Sequence, residues 1–148
     1  MVIEDLASKI IFLDTAPLIY FIEGHSLHQE KLVRLFELGD KGELSFITST
    51  ITLLEVLVKP LREGRPEIAD QYRRILTNAT AIEIKDTTIS IAEQAAILRA
   101  KYGIRTPDAI QLASSIDAAA DIFLTNDVRL RSIREISVVT MDELRLSA

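Results

Sequence analysis

The stretch that decides the fold lies at residues 10–21 and reads IIFLDTAPLIYF. Its first four residues are apolar without alternation, which is typical of a strand buried on both faces of a parallel sheet. Pro17 suits the first turn of a helix, and the apolar residues after it continue that helix to Gly24. Asp14 is therefore predicted to stand at the carboxyl end of a buried strand, the edge at which α/β sheets bind ligands.

The rest of the chain repeats this alternation of short apolar runs and helical periodicity. The predicted strands span residues 10–13, 44–48, 81–84, 122–124 and 136–139. Further helices are predicted at 28–38, 50–58, 66–76 and 89–102 and from Thr106 onward, and Pro60 is expected to stop the helix at 50–58. Strands that alternate with helices indicate an α/β fold of three layers, α/β/α, around a central, mostly parallel five-stranded sheet.

The composition is that of one globular domain without thiol chemistry. The chain has 148 residues, 48% of them hydrophobic, which predicts a single domain spanning 1–148 with a sizeable core. It has no cysteine, and its two histidines, His25 and His28, are predicted to be solvated loop residues. The net charge of −5 argues against a protein that coats nucleic acid with a basic face. It still allows an enzyme that holds phosphates through a metal ion and a few arginines.

The sequence contains no segment typical of export or membrane insertion. No stretch reaches the ~20 apolar residues of a membrane span. The first five residues, MVIED, are acidic where a signal peptide would be basic. We therefore expect a cytoplasmic protein without a membrane partner.

Four acidic residues stand in surroundings where an acid needs an explanation. Asp14 and Asp127 follow predicted buried strands, Glu55 interrupts an apolar run, and Asp108 opens a helix. Burying one carboxylate without a partner is costly, and bringing four together is costlier unless a cation neutralises them. The pattern predicts an all-carboxylate site for Mg²⁺ or Mn²⁺, of the kind that handles phosphates.

Each acid also has a purely structural explanation. Asp14 suits a helix cap, Asp108 suits the dipole at a helix start, and Asp127 suits a turn after Asn126. Glu55 is explained equally well by exposure on the edge of its helix. The joint pattern is more specific than any single member, because the order of elements can bring all four acids to one rim of the sheet.

Four segments of the sequence resemble the motifs of PIN domains. They lie at residues 12–21, 50–58, 106–113 and 123–130, in the order of that family, and read FLDTAPLIYF, TITLLEVLV, TPDAIQLA and FLTNDVRL. The resemblance covers nearly the whole chain and is greatest to the VapC-type ribonuclease toxins of toxin–antitoxin pairs. It implies a PIN-like fold and a metal-dependent endoribonuclease, usually a homodimer, that acts on RNA and is inhibited by a cognate antitoxin.

The resemblance also implies roles for the acidic residues. Asp14, Asp108 and Asp127 would hold one or two Mg²⁺ or Mn²⁺ ions, directly or through water. Glu55 would be a further ligand or would orient a water. All four acids are therefore expected to be catalytic, and three of them to be metal ligands.

The chain departs from the family pattern at one position. Many relatives carry Ser or Asn two residues after the first Asp, where this chain has Ala16. A hydroxyl contribution then comes from Thr15 or Thr125, and Thr125 is included among the expected catalytic residues. Arg129 is either a phosphate contact or a solvated surface charge, and the same holds for Arg131.

Other readings of the sequence stay open. Haloacid-dehalogenase-type phosphatases need a second Asp at the position of Ala16, and response-regulator receivers need an acidic pair near the first strand, so both fit poorly. Within the PIN family, the alternatives are an RNA-processing nuclease without an antitoxin and a non-catalytic interaction module. The first two helices carry more apolar residues than one face needs, which fits either a deep core position or a groove for an antitoxin helix.

Overall fold

The computed structural model describes residues 1–78 and 82–147, and within them it contains one five-stranded sheet. The strands are β1 (Ile10–Leu13), β2 (Ser45–Ser49), β3 (Ile82–Lys85), β4 (Ile122–Thr125) and β5 (Val138–Thr140). Their order is β3-β2-β1-β4-β5, and all four neighbouring pairs are parallel. The order reverses between β1 and β4, so the carboxyl ends of these two strands form the place where open α/β sheets bind ligands.

Six α-helices lie in the described residues and connect the first four strands in pairs. They are α1 (Thr15–Glu23), α2 (Gln29–Asp40), α3 (Thr50–Arg62), α4 (Pro66–Asn78), α5 (Ile89–Tyr102) and α6 (Thr106–Asp117). A short 3₁₀ turn, Val128–Ser132, lies between β4 and β5. None of the helices in these two ranges has both the length and the apolar composition to cross a membrane.

The sheet is covered on both faces, because alternate residues of each strand enter different cores. Ile11 and Leu13 of β1 lie in a core shared with α1 to α4, whereas Phe12 lies in a core shared with α5 and α6. All three side chains are fully buried, as expected for a strand in the middle of a parallel sheet. The predicted three-layer α/β/α architecture is confirmed.

The prediction that Pro60 stops the third helix is wrong. α3 continues through Pro60 to Arg62, and the proline side chain is buried. Proline lacks the N–H that would bond to the carbonyl of Val56, but it lies in the last turn, so the loss is confined to one hydrogen bond. The ends of several other elements differ from the prediction by one or two residues. Ala81, which was assigned to the third strand, lies outside the described residues.

The prediction that both histidines are solvated is wrong for His28. Its side chain is 4% exposed, and its ring stacks on that of His25 with the ring centroids 4.8 Å apart. Burial lowers the pKa of His28, and the positive charge of Lys31 lowers it further. Neutral His28 therefore packs as part of the interior beside α2.

The core explains most of the apolar surplus in the first two helices. Leu18, Leu32 and Leu35 are fully buried. The apolar residues that follow Leu18 in α1 are partly buried and pack against the same core. Val33 of α2 remains 40% exposed. Of the two explanations for the surplus, the core position therefore accounts for the larger part.

Candidate active site

Asp14 lies where β1 ends and α1 begins. Its Oδ1 accepts the backbone N–H of Thr15 at 2.8 Å, so Asp14 caps α1 as the structural explanation supposed. Its Oδ2 accepts the hydroxyl of Thr125 at 2.7 Å, and that residue ends β4. Capping alone requires only the first of these bonds. The second joins the carboxylate to the neighbouring strand across the switch point of the sheet.

The electrostatic environment of Asp14 disfavours its charge. Burial raises the pKa of Asp14, and the negative charges of Asp108 and Glu55 raise it further, while the Thr125 and Thr15 hydrogen bonds act in the opposite direction. Asp14 is therefore close enough to both of these carboxylates to be repelled by them. A cation placed among them would relieve that repulsion.

Glu55 projects from the second turn of α3. Its Oε1 accepts the hydroxyl of Thr15 at 2.7 Å, which ties α3 to the first residue of α1. Glu55 is exposed, as the structural explanation supposed, yet it faces the same cleft as Asp14. Exposure and a place at the site are therefore compatible for this residue.

The other two acids each contact an exposed arginine. Both Asp127 oxygens accept from Arg129, Oδ2 at 2.7 Å and Oδ1 at 3.0 Å, and Oδ1 also accepts the backbone N–H of Arg129. These bonds hold the pKa of Asp127 below its usual range. Asp108, in the first turn of α6, accepts from Arg105 at 3.3 Å. Arg105 and Arg129 are 71% and 73% exposed, so water screens both pairs.

The two threonines proposed as hydroxyl donors both contact an acid. Thr125 is fully buried; its hydroxyl donates to Asp14 and accepts the backbone N–H of Asp127 at 3.1 Å. Thr15 donates to Glu55 instead. Thr125 thus links two of the motif acids, and Thr15 supports a third. Arg131 donates to Thr140 at 2.6 Å and pairs with Glu143, so its contacts lie at the end of β5.

One open cleft of about 410 Å³ collects these side chains. Its volume lies in the range of small-ligand sites. The expected site residues all contribute to its wall: Asp14, Glu55, Asp108, Thr125 and Asp127. The structure therefore brings together residues that lie up to 113 positions apart in the sequence. Their catalytic roles remain predictions.

Sequence reasoning missed three residues that shape this cleft. Gln111 of α6 lies behind Asp14, with its Nε2 at 3.5 Å from Oδ1. Tyr20 of α1 accepts a hydrogen bond from the Asn126 amide at 2.8 Å and so supports the loop before Asp127. Arg105 stands beside Asp108. The one available signal was that Gln111 interrupts the apolar run of residues 109–113 in the third motif.

The donor chemistry of the site fits a hard divalent ion, although the ligands are not preassembled. All the acidic donors are carboxylate oxygens, which Mg²⁺ and Mn²⁺ prefer. Within 1–78 and 82–147, no three acidic or imidazole side chains are arranged to clasp an ion as they stand. Asp127 and Asp108 are turned towards their arginines. Mg²⁺ usually keeps several waters and needs few direct protein ligands, so the set suits an ion held partly through water.

Comparison with known proteins identifies the family. Solved structures with the same fold include DNA-bound VapBC from Salmonella typhimurium, at 17% identity and a TM-score of 0.70, covering 90% of this chain and 98% of that chain. A toxin–antitoxin complex from Klebsiella pneumoniae has 24% identity and a TM-score of 0.68, covering 88% and 97%. VapC20 from Mycobacterium tuberculosis, a Sarcin-Ricin loop cleaving toxin, has 19% identity and a TM-score of 0.62, covering 76% and 86%.

These identities establish a shared fold. No curated protein sequence matches the chain. A model of the PIN domain family matches residues 11–136, a range that includes every acid of the cleft. The PIN-like fold predicted from the motifs is thereby confirmed, and this chain belongs to the PIN domain family.

Proposed function

We propose that this protein is a metal-dependent endoribonuclease that hydrolyses RNA phosphodiesters, and that it is the toxin of a toxin–antitoxin pair. One observation carries the proposal: in a PIN domain, four acids from distant parts of the chain converge on one cleft at the switch point of the sheet. Structural roles such as capping require one or two of these contacts. They do not require all four acids to face the same space.

The chain supplies the ligands and the polar frame of this site. Asp14, Asp108 and Asp127 would hold Mg²⁺ or Mn²⁺, and such an ion supplies Lewis-acid polarisation of the phosphate and a lowered pKa of water. Thr125 fixes Asp14 through its hydroxyl. Glu55, fixed by Thr15, is placed to accept a hydrogen bond from a water in the cleft.

Two exposed arginines supply cationic side chains beside the acidic cleft. Arg105 lines the cleft itself, and Arg129 lies next to Asp127. Released from their carboxylates, both guanidinium groups can contact phosphate oxygens in bidentate fashion. RNA as the substrate is further supported by the fold shared with VapC20, which is described as cleaving the Sarcin-Ricin loop.

The assignment as a toxin draws on the relatives. Several solved structures of this fold are toxin–antitoxin complexes. We propose that this chain likewise binds a cognate antitoxin that blocks RNA cleavage, and that it forms a homodimer in the cytoplasm. The partly buried apolar residues of α1 and the 40% exposed Val33 of α2 are apolar side chains that such a partner would cover.

Cleavage of RNA with and without a divalent ion tests the nuclease. Purified protein should cut single-stranded RNA with Mg²⁺ or Mn²⁺ and should stop when EDTA is added. Asp108→Asn should abolish cleavage. Asp121→Asn is the matched control, because Asp121 accepts the backbone N–H of Ile10 at the opposite end of β1. Undiminished cleavage in EDTA, or an active Asp108→Asn variant, would refute the metal mechanism.

Co-expression tests the toxin assignment separately. If the neighbouring open reading frame encodes an antitoxin, the two proteins should co-purify and the complex should not cleave RNA. Active nuclease without any such complex would favour an RNA-processing PIN nuclease. A protein that neither binds Mn²⁺ nor cleaves RNA would favour the non-catalytic module. Sedimentation that shows only monomer at micromolar concentration would contradict the homodimer.

A further inference from the structure

A chain of buried polar side chains runs behind Asp14, on the side away from the cleft. Gln111 of α6 is 1% exposed, and the other members, Thr48, Ser49 and Thr52, are fully buried. They come from β2, α3 and α6, three elements that meet at the end of β1. A buried amide or hydroxyl is costly unless it is hydrogen-bonded, so this many together requires a complete set of partners.

Hydrogen-bond geometry gives this chain a direction. The Thr48 hydroxyl lies 2.8 Å from the carbonyl of Leu13 and 2.8 Å from the Thr52 hydroxyl. A carbonyl only accepts, so the single Thr48 hydrogen is donated to Leu13, and Thr52 donates to Thr48. Thr52 then has a lone pair for Gln111, whose Nε2 lies 2.6 Å away. The chain therefore runs from the Gln111 amide to the last carbonyl of β1.

The other end of the Gln111 amide is fixed as well. Ser49 accepts the backbone N–H of Ile51 at 3.1 Å and donates its hydroxyl to Gln111 Oε1. With Oε1 held by Ser49 and one N–H held by Thr52, the amide has a single orientation. Its second N–H then faces Asp14 Oδ1, at 3.5 Å between the heavy atoms.

The fixed Gln111 amide limits how the Asp14 carboxylate can be oriented. One oxygen of its carboxylate is set by Thr125, and the other lies between the Thr15 N–H and the Gln111 amide. The contact at 3.5 Å is too long to be a strong hydrogen bond. It does place a partial positive charge behind Oδ1 and leaves the front of the carboxylate free towards the cleft. The same network anchors the Leu13 carbonyl, one residue before Asp14.

We propose that Gln111 is a positioning residue that sets the orientation of the Asp14 carboxylate for RNA cleavage, through the buried chain of Thr52, Thr48 and Ser49. This inference rests on the proposed nuclease function for its kinetic consequence. Its structural content, the coupling of the Gln111 amide to Asp14, does not depend on that function. Gln111 itself does not reach the cleft, since it does not line it.

Gln111→Leu removes both the amide oxygen and the amide N–H groups of this side chain. Ser114→Ala is the matched control. Ser114 lies on the same helix and is fully buried, but within residues 1–78 and 82–147 its hydroxyl bonds only to the Ile110 carbonyl. With an RNA oligonucleotide that the wild-type protein cleaves, Gln111→Leu should lower kcat by about 10- to 100-fold, the usual effect of losing a residue that supports a metal ligand. It should weaken Mn²⁺ binding in a calorimetric titration. Ser114→Ala should retain the wild-type kcat and Mn²⁺ affinity.

A second pair of variants separates the hydroxyl from packing. Thr52→Val keeps the shape of the side chain and removes the hydroxyl that links Gln111 to Thr48, whereas Thr52→Ser keeps the hydroxyl and removes a methyl group. We expect Thr52→Val to lower kcat with little change in KM, and Thr52→Ser to restore most of it. If the loss of kcat in both variants simply followed the decrease in their melting temperatures, Thr52 would act through packing and the proposal would be wrong. This pair also decides the matter if Gln111→Leu does not fold.

An NMR measurement distinguishes failure of this inference from failure of the nuclease assignment. In a ¹⁵N-labelled sample, the Gln111 side-chain amide should exchange slowly with solvent, and Asp14→Asn should shift its resonances. Asp121→Asn should leave them unchanged. If the Gln111 resonances respond to Asp14→Asn but the protein cleaves no RNA, the nuclease assignment is wrong and the contact between Gln111 and Asp14 stands. Cleavage by the wild type with no response of Gln111 to Asp14→Asn, and a wild-type kcat in Gln111→Leu, would overturn this inference alone.

Discussion

Asp14→Asn separates the catalytic role of Asp14 from its capping role. Asn caps a helix about as well as Asp, so the bond from the Thr15 N–H should survive. The substitution replaces the oxygen that accepts the Thr125 hydroxyl, a bond to a charged group worth about 1.5–3 kcal/mol. It also removes a buried negative charge that Asp108 and Glu55 repel. We expect cleavage to be abolished while the metal-free fold persists.

The lost hydrogen bond lowers stability and the relieved repulsion raises it, so the two effects oppose each other. We therefore expect the free energy of unfolding in EDTA to change by about 1 kcal/mol or less, which is about 2–4 °C in Tm for a domain of this size. With Mn²⁺ at a hundred times its Kd, the wild type should gain about 2.7 kcal/mol, or about 5–11 °C. Asp14→Asn should gain much less. With Mn²⁺ present, the Tm of the wild type should therefore be clearly higher than the Tm of Asp14→Asn.

The pH dependence has a definite sign. The folded pKa of Asp14 is raised, so its protonated form favours folding at low pH, and that contribution is lost as the pH rises through the folded pKa. Asparagine does not titrate. The Tm of Asp14→Asn relative to wild type should therefore increase in EDTA as the pH rises above about 4.

Thermal melts followed by circular dichroism, at several pH values with EDTA or Mn²⁺, measure all three expectations. Asp121→Asn serves as the control for an Asp that only holds backbone. A loss of more than about 8 °C in EDTA, with no dependence on pH, would show that Asp14 is chiefly a structural cap. Retained RNA cleavage in Asp14→Asn would refute the catalytic role directly.

Three further substitutions have defined outcomes. Arg129→Gln should lower Tm at pH 7 only slightly, because water screens this exposed ion pair. The decrease in Tm should become smaller below about pH 4. The pKa of Asp127 is lowered in the folded protein, so its ion pair stabilises the fold only where the carboxylate is ionised. An equal decrease at every pH would contradict this expectation. Tyr72→Phe, which removes the hydroxyl bond to the Glu23 carboxylate, should lower Tm by about 3–12 °C and leave the cleavage rate unchanged. Glu55→Gln should reduce cleavage strongly without lowering Tm, and an active variant would remove Glu55 from the site.

The order and type of the secondary-structure elements were predictable because the sequence patterns that mark them are local. Unbroken apolar runs mark strands such as β1, and Gly103 marks the end of α5 in a left-handed conformation that glycine adopts readily. The helix end at Pro60 was mispredicted because proline is tolerated in a last turn when its ring is buried. His28 was mispredicted because its ring packs near those of Tyr20 and His25, contacts that no pattern in the adjacent residues marks.

The positions of the motif acids were predictable, but their contacts were not. An acid after a buried strand must lie at the carboxyl edge of the sheet, and this locates Asp14 and Asp127 without a structure. Which donors meet them depends on side chains far away in the sequence, such as Gln111, which is 97 positions from Asp14. The pairing of Asp127 with Arg129 was within reach, since the two residues lie only two positions apart. Their side-chain directions were the missing information.

The long separation between Asp14 and Thr125 bears on when the site forms during folding. Their hydrogen bond spans 111 positions, and β4, which carries Thr125, must pair with β1 across that long intervening segment. Closing such long loops and pairing parallel strands is slow compared with forming local helices. Until β4 pairs with β1, Asp14 has neither Thr125 nor Asp127 beside it. In a refolding experiment, recovery of RNA cleavage should therefore lag behind the recovery of helical circular dichroism.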